Sequence, residues 1–321
     1  MNHNTYRETE WNKATIMISP RRKFTAIVLL GLAVVCFFHG PRDEGDLYLR
    51  GLTNQEEIDS LLGEADGNVT QYWATHKPVM HTFFEDFKGS DPMLDAWKYE
   101  WEKAGWRTKV LTLDDAKKHP YFETMEEAVV KDFKTDTYNQ LCFYRYLAMA
   151  VDGGGWMSDY DTFPTNFPME EAIVLPNDEK FTSFQAHVPA LISASADEWF
   201  RVASLMTEKL PHSQIDFKSD MLILKELGDE GTHDLRFEIP NHNVHGYLEY
   251  EHKGVVDCKS MAIGRAIHVS HFGEAKSKKM STYPTEAMEG VPDKEKRPKL
   301  ARLFLDEWRE QCGGSNVATH R

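Results

Sequence analysis

Tyr138–Pro164, YNQLCFYRYLAMAVDGGGWMSDYDTFP, runs from a helix through a strand to a pair of carboxylates. Leu141, Tyr144 and Ala148 recur at helical spacing, with Arg145 beside them, so Tyr138–Val151 reads as a helix. Gly153, Gly154 and Gly155 stop it. Trp156–Tyr160 is then a short extended piece, and Thr162-Phe163-Pro164 turns the chain just after Asp161. Because the backbone turns there, Asp159 and Asp161 can both reach one region. The glycines would let backbone approach a ligand closely. Taken alone, the segment is outweighed by a plainer alternative, a glycine-rich turn with two solvated carboxylates.

The flanking sequence supplies a frame. Pro78–Phe84 reads as a strand, and Pro92–Ala104 as a helix through Met93, Leu94, Trp97 and Trp101, with Asp91 as N-cap and Gly105 just past its end. Trp106–Leu113 alternates like a strand, so the opening is a parallel strand–helix–strand unit. Residues 114–134 read as helical, Ala172–Leu175 as a short strand, and Asp197–Leu210 and Asp220–Leu227 as amphipathic helices. Arg236–Ile239 and Ala266–Ser270 read as late strands, 274–300 as a loop or flap, and Leu300–Glu310 as the last helix. Strands alternating with helices predict an α/β fold with a largely parallel sheet flanked by helices. Such sheets bind ligands beyond the carboxyl ends of their strands, which is where Asp159 and Asp161 fall.

Several chemistries are excluded. A net charge of −14 argues against a partner made of nucleic acid. Phe163 and Pro164 break the calcium-loop pattern that Asp159 and Asp161 could begin. The glycines lack a following Gly-Lys-Ser/Thr, and they lack the dinucleotide spacing. Neither His242-x-x-His245 nor His268-x-x-His271 carries the Glu of a zinc peptidase helix. What two such carboxylates do well is hold a hard divalent cation, which compensates the charge on a leaving diphosphate.

The other end of the chain bears on location. Phe24–Phe38, FTAIVLLGLAVVCFF, carries no charge and follows Arg21-Arg22-Lys23. With His39 and Gly40 it meets the short limit of a bilayer span, roughly 17 residues. A signal anchor over 24–40 is favoured over a cleaved signal peptide, because the basic lead is long and no small-residue cleavage site closes the run. It leaves a cytoplasmic tail at 1–23, a polar stem at 41–65 and a luminal catalytic domain at 66–312, with 313–321 a frayed tail. The short span suits the thin membranes of the endoplasmic reticulum and Golgi. Asn68-Val69-Thr70 is then a usable glycosylation sequon. Outside the apolar run stand Cys142, Cys258 and Cys312. Cys142 lies in an apolar pattern, and Cys258–Cys312 is one pairing among those open.

A helix bearing an Arg, followed by Gly-Gly, three residues and Asp-x-Asp, resembles the sugar-binding region of glycosyltransferase family 32 and the related large-toxin glucosyltransferases. Arg145, Gly154, Gly155, Asp159 and Asp161 carry the match, which spans 138–164 and extends to 75–115. Met157 stands where the family has Tyr, Cys142 where it has Asp, and the Arg-to-Gly distance is one residue longer. The resemblance implies a GT-A fold, a nucleotide-diphosphate sugar donor, Mn2+ (or Mg2+), and transfer of a hexose with retention to a glycan or glycoconjugate. It implies that Arg145 contacts the donor, Asp159 the sugar or ribose, and Asp161 the metal. It also implies a late histidine ligand. His271 is favoured over His268, since it lies past the strand in the loop.

Asp220 reads first as a helix N-cap and second as a group facing sugar or acceptor. Trp156 could stack on a base or sugar, although core packing is the commoner use. Two other classes stay open: a tethered sugar-nucleotide or glycan-binding protein without turnover, motivated by Cys142, and a metal hydrolase using Asp159, Asp161 and the histidine pairs.

Overall fold

The strand–helix–strand opening is present as Val79–Phe83 (β1), Pro92–Lys103 (α1) and Arg107–Leu111 (β2), with β1 and β2 in parallel register. Asp91 caps α1 by accepting from the Met93 amide at 2.8 Å, and Pro92 occupies the first turn, where no amide hydrogen is needed. Gly105 takes φ +97° and turns the chain back toward β2. The computed structural model describes residues 77–85, 91–133, 137–167, 169–215, 218–238, 244–246, 251–252, 255–256, 258, 264–271 and 284–312. All lie in one compact unit, Glu44–Arg321.

The stretch 114–134 divides into two helices, Leu113–Ala116 (α2) and Phe122–Phe133 (α3). Asp115 accepts from the Thr112 amide to start the first, and Pro120 sits in the break. Then follow Thr137–Val151 (α4), Gly154–Ser158 (β3), Thr162–Pro164 (β4), Thr182–Gln185 (β5), Val188–Ser195 (β6), Ala196–Lys209 (α5) and Asp220–Glu230 (α6). The chain continues with Arg236–Phe237 (β7), Val244–Gly246 (β8), Glu251–His252 (β9), Val255–Val256 (β10), Ala266–His268 (β11) and Asp293–Cys312 (α7).

The main sheet has the order β2-β1-β3-β6-β5-β7. Its pairs are parallel except those of β6, which runs against β3 and β5, so the sheet is mostly parallel. Helices cover both faces. Met80, Trp156 and Leu191 face α1 and α7 together with Trp97, Trp101, Phe304 and Trp308. Met157 and Ile192 face the other way, onto Phe143, Leu147, Trp199, Met206 and Ile223. The alternation of Trp156 with Met157, and of Leu191 with Ile192, is the two-residue period of a strand buried on both sides. A smaller sheet, β4-β11-β8, adjoins the first.

Three expectations are corrected. Ala172–Leu175 is not a strand: a single 3-10 turn, Met169–Ala172, precedes bends. The segment 274–300 is not all loop, because α7 already begins at Asp293 and carries Pro298 inside it. Gly154 serves packing at the end of β3 away from Asp159. Gly154 has φ +80°, and a Cβ there would stand 2.5 Å from the Ala196 amide nitrogen. It therefore lets β3 press against the β6–α5 corner.

Segments 1–23, 24–40 and 41–65, Asn68, His242, the His245 side chain and the tail from 313 lie outside the described residues. No helix among the described residues is long and apolar enough to cross a membrane.

Cys258 and Cys312 form a disulfide, and Cys142 is free. The bond ties the end of α7 to the segment ahead of β11 across 54 residues, a closure worth about 4 kcal/mol on the chain-entropy estimate. Cys312→Ser is expected to lose about that much stability in urea unfolding. An unchanged midpoint and slope would show that the disulfide adds no constraint.

Candidate metal centre

Asp159 and Asp161 sit in the tight link between β3 and β4. The Thr162 amide donates to the Asp159 carbonyl at 2.9 Å and closes the turn, while the Asp159 amide donates to the Ala190 carbonyl on β6 at 3.0 Å. Two indoles of α1 hold the ends of this link. Trp97 Nε1 donates to Ser158 Oγ at 2.8 Å, and Trp101 Nε1 donates to the Thr162 carbonyl at 3.0 Å. Trp97 and Trp101 are four residues apart, so one helix face reaches both ends. Both rings are fully buried, which makes the link part of the core rather than a free loop.

β11 brings the third group. It pairs antiparallel with β4, His268 opposite Thr162, and the Val269 amide donates to the Asp161 carbonyl at 2.9 Å. His268 Nε2 then lies 3.3 Å from Asp161 Oδ1. Its Nδ1 is 2.9 Å from Gln185 Oε1 on β5. With the amide oxygen in that position Nδ1–H donates to it, which fixes the ring and directs Nε2 inward. Asp159, Asp161 and His268 each offer one ligand atom, and these atoms all lie within 4.8 Å of one another. Two carboxylate oxygens and one imidazole nitrogen suit a divalent cation.

Two guanidiniums flank the carboxylates. Arg145, 6% exposed on α4, donates from Nη1 to Asp159 Oδ1 at 2.5 Å and from Nη2 to Asp220 Oδ2. Arg297, buried on α7, donates from Nη1 to Asp161 Oδ2 at 2.6 Å. Three carboxylates against two guanidiniums leave one negative charge when His268 is neutral, an imbalance that a divalent cation reverses.

Burial pushes the Asp159 carboxyl above its ordinary range; Arg145 opposes this and Asp161 adds to it. Burial acts the same way on Asp161, yet His268, Arg297 and His271 together hold Asp161 below the usual value. Burial disfavours the charged form of His268, and Asp161 overrides it and raises the imidazole. Of Asp159 and Asp161, Asp161 is thus the more firmly held ionised, and Asp159, with 27% of its side chain exposed, is the more open to solvent.

The geometry places His268, not His271, with the two aspartates. His271 is exposed and outside the group, although its charge is felt at Asp161. The N-cap of α6 is Ser219, whose hydroxyl accepts from Leu222, so Asp220 does not cap. Instead Asp220 is buried and held by Arg145 and by the Met221 amide at 2.7 Å. Trp156 is a core residue, stacked on Phe184 and donating to the Ala172 carbonyl at 2.9 Å, so it presents no ring to a base or sugar. Gly154 and Gly155 lie at the start of β3, at the opposite end from Asp159. Cys142, half-buried on α4 one turn before Arg145, stays a thiol, because burial and the Asp220 charge both raise its pKa.

Arg297 and Gln185 escaped the sequence. Arg297 had a signal: it lies three, four and seven residues before Leu300, Ala301 and Phe304, on the buried face of α7. Pro298 masked it by marking a break that the helix does not make. Gln185 carries no signal, because β5 itself was not legible.

No known family model matches the chain, and no characterised protein matches it in sequence. Among solved structures, a chain described as "PaToxG Glycosyltransferase" aligns over 86% of this chain and 99% of its own, at 11% identity and a TM-score of 0.31. A likeness that slight carries no weight for fold or function.

Proposed function

We propose that the chain is a metal-dependent glycosyltransferase on a GT-A fold, moving a hexosyl group from a nucleotide-diphosphate sugar to a glycan or glycoconjugate with retention of configuration. The convergence of Asp159, Asp161 and His268 at the carboxyl edge of a mostly parallel sheet is the observation that carries this.

Asp159, Asp161 and His268 would hold Mn2+ or Mg2+, which when bound supplies charge compensation to the leaving diphosphate. Arg145 remains a cation, since Asp220 and Asp159 raise its pKa against the opposing effect of burial. It keeps Asp159 in one orientation and adds positive potential at the donor. Asp220 is bound to Arg145 and to a backbone amide, which favours a front-face route over attack by a side-chain carboxylate.

The disulfide supports a luminal catalytic domain, since such bonds persist in oxidising compartments. We place the chain as a single-pass type II protein of the Golgi or endoplasmic reticulum, anchored by 24–40 and glycosylated at Asn68.

A thermal-shift screen of the full chain against nucleotide sugars with Mn2+ tests the proposal, because a ligand stabilises by RT ln(1 + [L]/Kd). Stabilisation by one donor only with metal, together with slow donor hydrolysis, is the expected result. No shift with any donor sinks it. The second reading, binding without turnover, is favoured by Cys142 standing where the resembled family has a carboxylate. Metal-dependent binding with no transfer or hydrolysis would select it.

A further inference from the structure

We propose that Arg297 is a diphosphate-binding residue that exchanges partners, neutralising Asp161 while that carboxylate holds no cation and turning to the donor's phosphate oxygens once it does. The inference deepens the glycosyltransferase reading and rests on it.

Among the described residues, Arg297 has one strong partner and several weak ones. Its Nη1 donates to Asp161 Oδ2 at 2.6 Å. The contacts with the Val269 carbonyl and the Tyr160 hydroxyl are both 3.5 Å, at the limit of a hydrogen bond. The Tyr160 ring lies 5.7 Å beneath the guanidinium. The charge on Asp161 therefore decides where this side chain points. That same carboxylate belongs to the Asp159–Asp161–His268 group. A divalent cation on it would face a guanidinium across one carboxylate, in a place where solvent screens little. An arriving diphosphate offers the guanidinium what Asp161 then no longer does, paired anionic oxygens that match its planar fork.

The exchange needs only side-chain rotation, since α7 is fixed at its other end. Cys312 is disulfide-bonded to Cys258, Trp308 is buried, and Arg309 donates to the buried Glu100 of α1. Arg297 lies far along that helix from these anchors and beside Asp161. It is also suited to the task by the rigid fork of donors on a guanidinium. Arg145 cannot take this role without releasing Asp220, a carboxylate buried to 5% exposure whose other partners among the described residues, Tyr146 and the Met221 amide, carry no positive charge.

The test measures two affinities of the full chain by calorimetry: Mn2+ alone, and UDP or GDP at saturating Mn2+. Arg297→Gln is expected to bind Mn2+ alone several-fold more tightly, because a competing cation is gone. It is expected to bind the nucleotide about tenfold to a hundredfold more weakly, the range of a lost charge-assisted hydrogen bond. If Arg297→Gln does not fold, Arg297→Lys carries the same comparison, keeping the buried charge but losing the fork. Wild-type nucleotide affinity in whichever variant folds overturns the proposal and leaves Arg297 a counter-ion of Asp161 only. A wild-type chain that binds neither Mn2+ nor nucleotide would instead reject the glycosyltransferase reading beneath it.

Discussion

Asp161→Asn is expected to lower metal-dependent donor turnover by about a thousandfold, the upper end of what losing one preorganised charge-stabilising group costs. The substitution keeps the shape and removes the charge. Burial works against ionising Asp161, yet His268, Arg297 and His271 hold it below its ordinary pKa, so its ionised form is better stabilised than that of Asp159. Asp159 differs: burial raises its pKa, with Arg145 opposing the shift. Asp159→Asn should therefore cost less than Asp161→Asn. Stability should fall as well, by about 3–5 kcal/mol at most, since Arg297 is left buried without its counter-charge although an amide oxygen still accepts from it. Electron paramagnetic resonance of Mn2+ and donor-hydrolysis rates give both numbers on one preparation. Asp161→Asn with wild-type Mn2+ affinity would remove Asp161 from the metal site, and the proposed function with it.

How much of this was legible in the sequence depends on the distance over which each feature is decided. The opening β1–α1–β2 unit was readable because its signals are local: Asp91 and Pro92 at one helix end, Gly105 at the other, and apolar spacing between. Asp159 and Asp161 were readable because a turn follows them directly. β5 and β6 were not. β6 is buried along nearly its whole length between two helical layers, so it shows no polar alternation, and Ala190, Ser193 and Ala194 look like neither strand nor helix. The choice between His268 and His271 depended on the register of β11 against β4, a pairing of residues roughly a hundred positions apart that no local pattern encodes. Arg297 lay on a helical face that Pro298 concealed.

The buried Arg145–Asp220 pair yields the second large effect, and it separates stability from function. Arg145→Met leaves Asp220, 5% exposed, without its cation. Removing one member of a buried ion pair costs about 3–5 kcal/mol, because the stranded charge keeps its desolvation penalty. Tyr146 Oη, 3.5 Å from Asp220, is too distant to replace a guanidinium. Adding Asp220→Asn removes that charge while its side-chain oxygen can still accept from the Met221 amide. The double variant should therefore recover most of the loss, to within about 1 kcal/mol of wild type, since a buried pair contributes little net stability over a neutral replacement. Activity should behave otherwise. Both Arg145→Met and the double variant leave Asp159 without the donor that orients it, so turnover should stay down by about a hundredfold in each. Urea unfolding of the single and double variants, paired with donor hydrolysis, makes the comparison. Activity that returns together with stability would mean that Arg145 holds the fold and nothing more. Stability that returns alone would mean that the chain keeps this costly buried pair for the sake of the site, with Asp220 acting through Arg145 on the Asp159 carboxylate.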